Sequence, residues 1–131
     1  LTNNTATDVD QPNPSASLWI TKTNTPALGP NDQPDDTVLV GTETTYDIVL
    51  GNNGPSSVVN AVLRDFPSSE LTGCVLATPA CAVVSGMATC PVEGNGAGQL
   101  SVTNLASAVG VQVPLLQPNS SLRVRLTCTV Q

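Results

Sequence analysis

Residues 120–131 read SSLRVRLTCTVQ, and this stretch decides the fold class. Apolar and polar side chains alternate along it: the apolar set is Leu122, Val124, Leu126, Cys128 and Val130, and the polar set is Arg123, Arg125, Thr127 and Thr129. Successive side chains of a β-strand point to opposite faces of the sheet. The alternation therefore predicts a strand with one face in a core and the other in water, as in an antiparallel sheet.

The chain before this strand, from residue 18 onward, consists of short runs of Val, Leu, Ile and Thr separated by Gly, Pro, Asn and Asp. Such spacing is typical of strands and turns. The predicted strands fall within residues 18–23, 37–41, 44–50, 58–66, 71–78, 82–84, 87–89, 98–105, 109–116 and 120–131. Pro67 and Pro79 are expected to end strands. With almost no helix, the pattern predicts an all-β fold over residues 18–131, an immunoglobulin-like antiparallel β-sandwich.

Residues 1–17, LTNNTATDVDQPNPSAS, show neither helical nor strand periodicity. They are polar, contain Pro12 and Pro14, and include few large apolar side chains, Leu1 and Val9. We expect an extended N-terminal arm. Such an arm is suited to docking on a neighbouring copy by adding a strand to an open sheet edge.

The composition argues against several classes of function. The chain of 131 residues has ten acidic and four basic residues and a net charge of −6, so it lacks the positive surface that binds nucleic-acid phosphates. It has no His, the most common general base and a common metal ligand. Its longest apolar run, residues 105–116, is interrupted by polar residues and falls short of the roughly 18 apolar residues of a membrane-spanning helix. We expect no enzyme activity, no cofactor and no membrane insertion.

The four cysteines predict disulfides and a secreted or cell-surface location, because disulfides persist in oxidising compartments. A tight turn at residues 85–86 would form a hairpin and place Cys81 opposite Cys90. Cys74 would then pair with Cys128. The pairing of Cys74 with Cys90 remains the alternative.

Several motifs of the first half occur together. A Lys-Thr pair, Lys22 and Thr23, ends the opening strand SLWITKTNTP, a Gly-led strand with Thr-Tyr and alternating aliphatics covers 41–50, an Asn-Asn-Gly-Pro turn covers 52–56, and a Val-rich strand covers 58–65. These features resemble the repeat domain of unknown function numbered eleven of bacterial and archaeal surface proteins, over about residues 18–131. The resemblance implies an immunoglobulin-like structural module of adhesins, stalks and envelope fibres, without catalytic residues.

Acidic side chains offer oxygen ligands of the kind that Ca²⁺ prefers in extracellular loops. The two groups are Asp8, Asp10 and Asn13 in the arm, and Asn31, Asp32, Asp35 and Asp36 in the loop after the first strand. Neither group has an EF-hand pattern, so we expect solvated acidic turns and no metal site. Glu43 and Asp47 lie on one strand with Thr45 between them, and we expect exposed carboxylates there rather than an acid–base pair.

Lys22 shares a strand face with Ile20, and a buried Lys in this position could be cross-linked to an Asn. The last strand contains no Asn, so we expect a Lys whose stem covers apolar surface at the end of a strand. Asn3 and Asn119 each begin a triplet that fits the acceptor rule for N-glycosylation.

These observations predict a structural subunit of an extracellular surface filament or stalk, a homopolymer whose copies join through the N-terminal arm and sheet edges. The alternative is an adhesin repeat module that binds a host or matrix ligand, a glycan or a protein, through the loops 26–37 and 91–99. Glycans usually stack on aromatic side chains, and Trp19 is the one side chain that we expect to serve.

Overall fold

The computed structural model describes residues 7, 10, 13–26 and 36–131. In these residues the elements are β1 (Ala16–Asn24), β2 (Glu43–Pro55), β3 (Val58–Leu63), β4 (Leu71–Ser85), β5 (Ala88–Thr89), α1 (Val102–Leu105), β6 (Val111–Leu116) and β7 (Ser120–Val130). No helix of this part of the chain is long and apolar enough to cross a membrane.

The strands form two antiparallel sheets. The first has the order β1-β2-β7-β4 and the second the order β3-β6-β5. Apolar side chains from both sheets form one core between them. The predicted all-β sandwich of immunoglobulin-like type is therefore confirmed.

The alternation of the last strand places its apolar side chains in this core. The most buried residues of β7, each at most 1% exposed, are Leu122, Val124, Leu126 and Cys128. The second sheet contributes Val111 and Val113 of β6, which have no exposed surface. Each fully buried aliphatic side chain contributes roughly 1.5–3 kcal/mol. Since the chain has only three aromatic residues, its core consists mainly of contacts of this size.

Two of the predicted strands are wrong because local hydrogen bonds favour other structures. Residues 37–41 lead into a turn, in which the hydroxyl and the N–H of Thr42 both donate to the carbonyl of Leu39, at 2.6 and 3.1 Å. Within residues 98–105 the chain forms α1. The hydroxyl of Ser101 caps this helix by accepting the N–H of Asn104 at 3.1 Å.

Pro79 does not end a strand, contrary to expectation, because β4 bulges around it. Leu76 pairs with Leu126 and Cys81 pairs with Val124, so residues 77–80 lie opposite residue 125 alone. A proline has no N–H for the ladder and is tolerated at such a bulge. β4 therefore runs continuously through both runs that the sequence separated.

The predicted hairpin around residues 85–86 is also wrong. β4 pairs with β7 in the first sheet, whereas β5 pairs with β6 in the second, so the chain crosses between the sheets here. Cys81 and Cys90 are nonetheless bonded, and their disulfide connects β4 to the residue that follows β5. Cys74 is bonded to Cys128 on the neighbouring strand β7, and the alternative pairing of Cys74 with Cys90 does not occur.

Candidate functional site

One flank of the sandwich is open. β1 and β3 are outer strands of the first and second sheets, and no described strand pairs with the free edge of either. Leu18 and Ile20 of β1 point inward, since they pair with Asn52 and Leu50, whose side chains are buried. They are nevertheless 52% and 57% exposed. The second sheet has one strand fewer than the first, so within the described chain nothing covers this part of β1.

A groove of about 200 Å³ lies between the two outer strands. Its lining includes Leu18, Ile20, Leu50, Val62 and Leu116. Small-molecule sites are usually larger, roughly 300–1,000 Å³. The dimensions and the apolar lining therefore suit a few side chains of an added strand better than a cofactor.

Polar contacts lie on either side of this groove along β1. The N–H of Ser56 donates to the carbonyl of Ser15 at 2.9 Å, and the N–H of Ser15 donates to Oγ of Ser56 at 3.1 Å. Farther along β1, Nζ of Lys22 donates to Oδ1 of Asp65 at 2.6 Å. Asp65 follows β3, so this ion pair connects the outer strand of one sheet to the end of the outer strand of the other.

The Lys22 ammonium also lies over the ring of Tyr46, 4.5 Å from its centroid, in a cation–π contact. Burial raises the pKa of the Tyr46 phenol, and the negative charges of Asp65 and Asp36 raise that pKa further. The charges of both carboxylates therefore disfavour ionisation of the same phenol. In each of them the Oδ2 atom is buried and has no hydrogen-bond partner within the described part of the chain.

The sequence reasoning did not identify Asp65 as the partner of Lys22. The only partner suggested by the sequence was an Asn on the last strand, which contains none. The structure instead places Lys22 beside Asp65, two residues after the end of β3. The available signal was the charged pair Arg64-Asp65 directly after an aliphatic strand. A side chain in that position lies at the end of an outer strand and can reach the other sheet.

Trp19 alternates with Leu18 and Ile20 along β1, so its side chain points to the outer face of the first sheet, although the residue also borders the groove. It pairs with Gly51, and its indole occupies the space that a side chain at position 51 would need: a Cβ there would lie 2.5 Å from the ring. The residue is 36% exposed. The ring thus packs against the sheet, and its predicted role in glycan stacking remains untested.

The carboxylates of Glu43 and Asp47 do not form the pair that acid–base chemistry would use. Both oxygens of Asp47 accept from Arg125, at 2.5 Å from Nε and 2.9 Å from Nη2. These hydrogen bonds lower the pKa of the Asp47 carboxyl, and burial opposes them in part. Asp47 therefore forms a cross-strand ion pair that joins β2 to β7.

Most of the predicted calcium ligands lie outside the described residues: Asp8, Asn31, Asp32 and Asp35. Among the residues that the structure does describe, no three acidic or Cys side chains are grouped so that they could hold a metal ion. Of the two glycosylation triplets, Asn3 also lies outside. Asn119 is exposed in the loop between β6 and β7, where its side chain is accessible.

Of the two loops suggested for ligand binding, the structure describes 91–99 in full. Most of the loop 26–37 lies outside the described residues. The loop 91–99 borders a shallow cavity of about 200 Å³ on the outer face of the second sheet, lined in part by Asn60, Gln99 and Gln112. These amides could form hydrogen bonds with a polar ligand.

The chain matches no protein-family model, and it is not significantly similar to a curated protein or a solved structure. The resemblance to the surface repeat domain therefore remains a prediction from the motifs of the first half.

Proposed function

We propose that the chain is a structural subunit of an extracellular surface filament or stalk, in which the N-terminal arm of one copy occupies the open flank of the next. The observation that carries this proposal is the half exposure of Leu18 and Ile20, two inward-facing residues beside unpaired strand edges. Unpaired edges and exposed apolar surface are the features to which added strands bind.

The energetics favour a strand over an isolated apolar contact. Full burial of an aliphatic side chain contributes roughly 1.5–3 kcal/mol, so covering the exposed half of Leu18 and of Ile20 contributes about 2 kcal/mol together. That is too little for stable association, which must also offset lost translational and rotational freedom. Backbone hydrogen bonds along β1 or β3 would supply the remainder.

The arm of a second copy has the length and the pattern for this role. Residues 1–15 precede β1, and an extended chain of this length reaches about 50 Å. In a strand, odd-numbered residues share one face, and from Leu1 to Val9 the odd positions carry no charge. Asp8 and Asp10 fall on the other face. A strand in this register would present Leu1 or Val9 to the groove, since the two are about 26 Å apart along it, and would present its carboxylates to water.

The two disulfides support the extracellular part of the proposal, because such bonds are rare in reducing compartments. They cross-link β4 to β7 and β4 to the residue after β5. A subunit that is exposed to proteases and mechanical stress outside a cell benefits from such links.

The proposal is tested by sedimentation velocity and negative-stain electron microscopy over a range of concentrations. We compare the full chain, a chain that begins at Ser15, and the groove variant L18S/I20S. The matched control is V75S/V84S, which replaces two exposed aliphatics of β4 on the other flank. We expect the full chain and the control to form oligomers or fibres, and the other two to remain monomeric.

Monomers of the full chain at every concentration would refute the filament proposal and favour the adhesin alternative. Assembly of the chain that begins at Ser15 would refute the role of the arm. Assembly of L18S/I20S to the same extent as the control would refute the role of the groove. Circular dichroism of each variant establishes that the fold is retained.

A further inference from the structure

The ion pair between Lys22 and Asp65 differs from the ion pair between Asp47 and Arg125, which joins β2 to β7. In the pair of Asp47 with Arg125, both carboxylate oxygens accept hydrogen bonds. In Asp65 only Oδ1 has a partner, and Oδ2 is buried without one in the described residues. A buried carboxylate oxygen that lacks a hydrogen bond is costly. The side chain of Asp65 is only 11% exposed, so water does little to offset that cost.

We propose that Lys22 and Asp65 become covalently joined by an amide bond between Nζ and Cγ, an isopeptide cross-link that the folded protein forms itself. The reacting nitrogen lies 2.6 Å from one oxygen of the carboxyl group that it would attack. Amide formation removes one oxygen from Asp65 and neutralises both charges. It therefore relieves the burial of an unpartnered, charged atom.

The reaction balances without an added reagent. Nζ loses a proton to become a neutral amine, attacks Cγ, and forms the new carbon–nitrogen bond. One carbon–oxygen bond of the Asp65 carboxyl breaks, and that oxygen leaves as water with two protons that originate on Nζ. An ammonium and a carboxylate thus become one amide and one water, with no change in total charge and no oxidation or reduction.

Asp36 is the side chain that we assign to move these protons. Its carboxylate acts on the same Tyr46 phenol as Asp65, and its Oδ2 is buried without a partner among the described residues. A buried carboxylate in this neighbourhood would serve as the general acid and base that takes a proton from Nζ and returns one to the departing oxygen. The ring of Tyr46 holds the Lys22 ammonium in place and shields one side from water. The fold supplies the proximity that makes an intramolecular step favourable.

The position of the bond gives it a structural purpose. The disulfides link β4 to β7 and to the residue after β5. Neither disulfide includes β1 or β3, the strands of the open flank. An amide from Lys22 to Asp65 would tie β1 to the segment after β3 at one end of this flank, and it would leave the groove free because neither residue lines it. The inference does not depend on filament formation, since a monomer can carry the bond.

The decisive measurement is the intact mass of the folded, then fully reduced, full chain. We expect a mass about 18 Da below the value calculated from the sequence, the loss of one water. Lys22→Arg and Asp65→Ala should each have the calculated mass. The matched control Arg125→Lys places a second ammonium opposite Asp47 and should lose no more water than the unmodified chain.

A second readout locates the bond. Trypsin should cleave an unlinked chain after Lys22 and Arg64 and release residues 23–64. Amidation of Lys22 blocks the first cleavage, so we expect residues 1–64 to remain attached to residues 65–123 through the new bond. Tandem mass spectrometry should place the link between Lys22 and Asp65.

Asp36→Asn tests the proton carrier separately from the fold. We expect it to keep the circular dichroism spectrum and slow the loss of water at least tenfold, and Asp36→Glu to restore the rate. An Asp36→Asn chain that loses water at the normal rate would overturn the role of Asp36. The calculated mass in the unmodified chain, or a water loss that persists in Lys22→Arg, would overturn the cross-link itself. Whatever the mass measurements show, sedimentation velocity measures assembly separately and so tests the filament proposal independently.

Discussion

Removing the disulfide between Cys74 and Cys128 should destabilise the protein more than removing the one between Cys81 and Cys90. The perturbation is a pair of double variants, C74A/C128A and C81A/C90A. The first bond closes a sequence separation of 54 residues and the second a separation of 9. A cross-link restricts the unfolded chain more strongly when it closes a longer loop. The order of the two effects follows from the connectivity alone.

The magnitudes can be worked out from these separations. The loop-closure relation gives about 4 kcal/mol for the longer loop and about 2.5 kcal/mol for the shorter. Globular proteins unfold with an entropy of roughly 2.1 cal/mol/K per residue, which corresponds to about 275 cal/mol/K for this chain. We therefore expect Tm to fall by about 15 °C in C74A/C128A and by about 9 °C in C81A/C90A. Burial of Cys128 in the core adds to the first value.

Thermal unfolding followed by far-ultraviolet circular dichroism measures both effects, and guanidinium unfolding followed by Trp19 fluorescence provides the free energies. The unmodified chain under reducing conditions is the common reference, because it lacks both bonds. An equal or larger loss of stability in C81A/C90A would refute the reasoning. That outcome would show that the connection between the sheets, rather than the restriction of the unfolded chain, dominates the stabilisation.

Three further substitutions have defined outcomes, each measured by guanidinium unfolding. Gly51→Ala places a Cβ 2.5 Å from the indole of Trp19; it should cost about 1–3 kcal/mol and shift the fluorescence maximum. Asn52→Ala should cost about 2–4 kcal/mol, because this fully buried amide donates to a carbonyl of the second sheet and accepts a backbone N–H of its own strand. Asp47→Asn should cost about 0.5–1 kcal/mol at neutral pH, since it removes the charge that pairs with Arg125. The folded-state pKa of Asp47 is lowered, so its contribution is complete above the unfolded value of about 4 and disappears as the pH falls through the folded pKa. A loss for Asp47→Asn that does not change with pH would contradict this assignment.

The class of the fold was predictable because alternation is a local signal. In β7 every second residue from Leu122 to Val130 is buried, and the same pattern in the sequence reports this directly. A strand that alternates so regularly needs an apolar layer on that face, and since the sequence shows almost no helix, a second sheet must supply it. The sandwich therefore follows from a few strands, even where the boundaries of others were wrong.

The pairing of strands was not predictable from the same signal. Residues 82–84 and 87–89 have the composition of a hairpin, yet they belong to different sheets. Gly86, with its positive φ, would turn the chain both in a hairpin and in the observed crossover between the sheets. Whether the next strand pairs with the previous one or with β6 depends on distant partners, which no local pattern records. Likewise, the Ser101 hydroxyl accepts the N–H of Asn104 and caps a helical turn at residues 102–105, although Val102 and Thr103 favour strands.

The polar contact at the open flank was missed for a related reason. Lys22 was correctly placed on the same face as Ile20, but its partner depends on how the two sheets are positioned relative to each other. Asp65 lies 43 residues away, just beyond the end of β3. The periodicity of β1 determines which side chains point inward. It does not determine which residue of the other sheet they meet.

In a filament joined through the N-terminal arms, tension would act first on the open flank, and the covalent links determine which strands can withstand it. Tension applied through the N-terminal arm enters the fold at β1, which within the described chain pairs only with β2. Hydrogen bonds and the half-covered Leu18 and Ile20 alone would hold such a strand weakly. β7, by contrast, has a neighbour on each side and a disulfide to β4. A bond from Lys22 to Asp65 would pass the tension from β1 to the second sheet, and so give the N-terminal strand a covalent support comparable to that of β7.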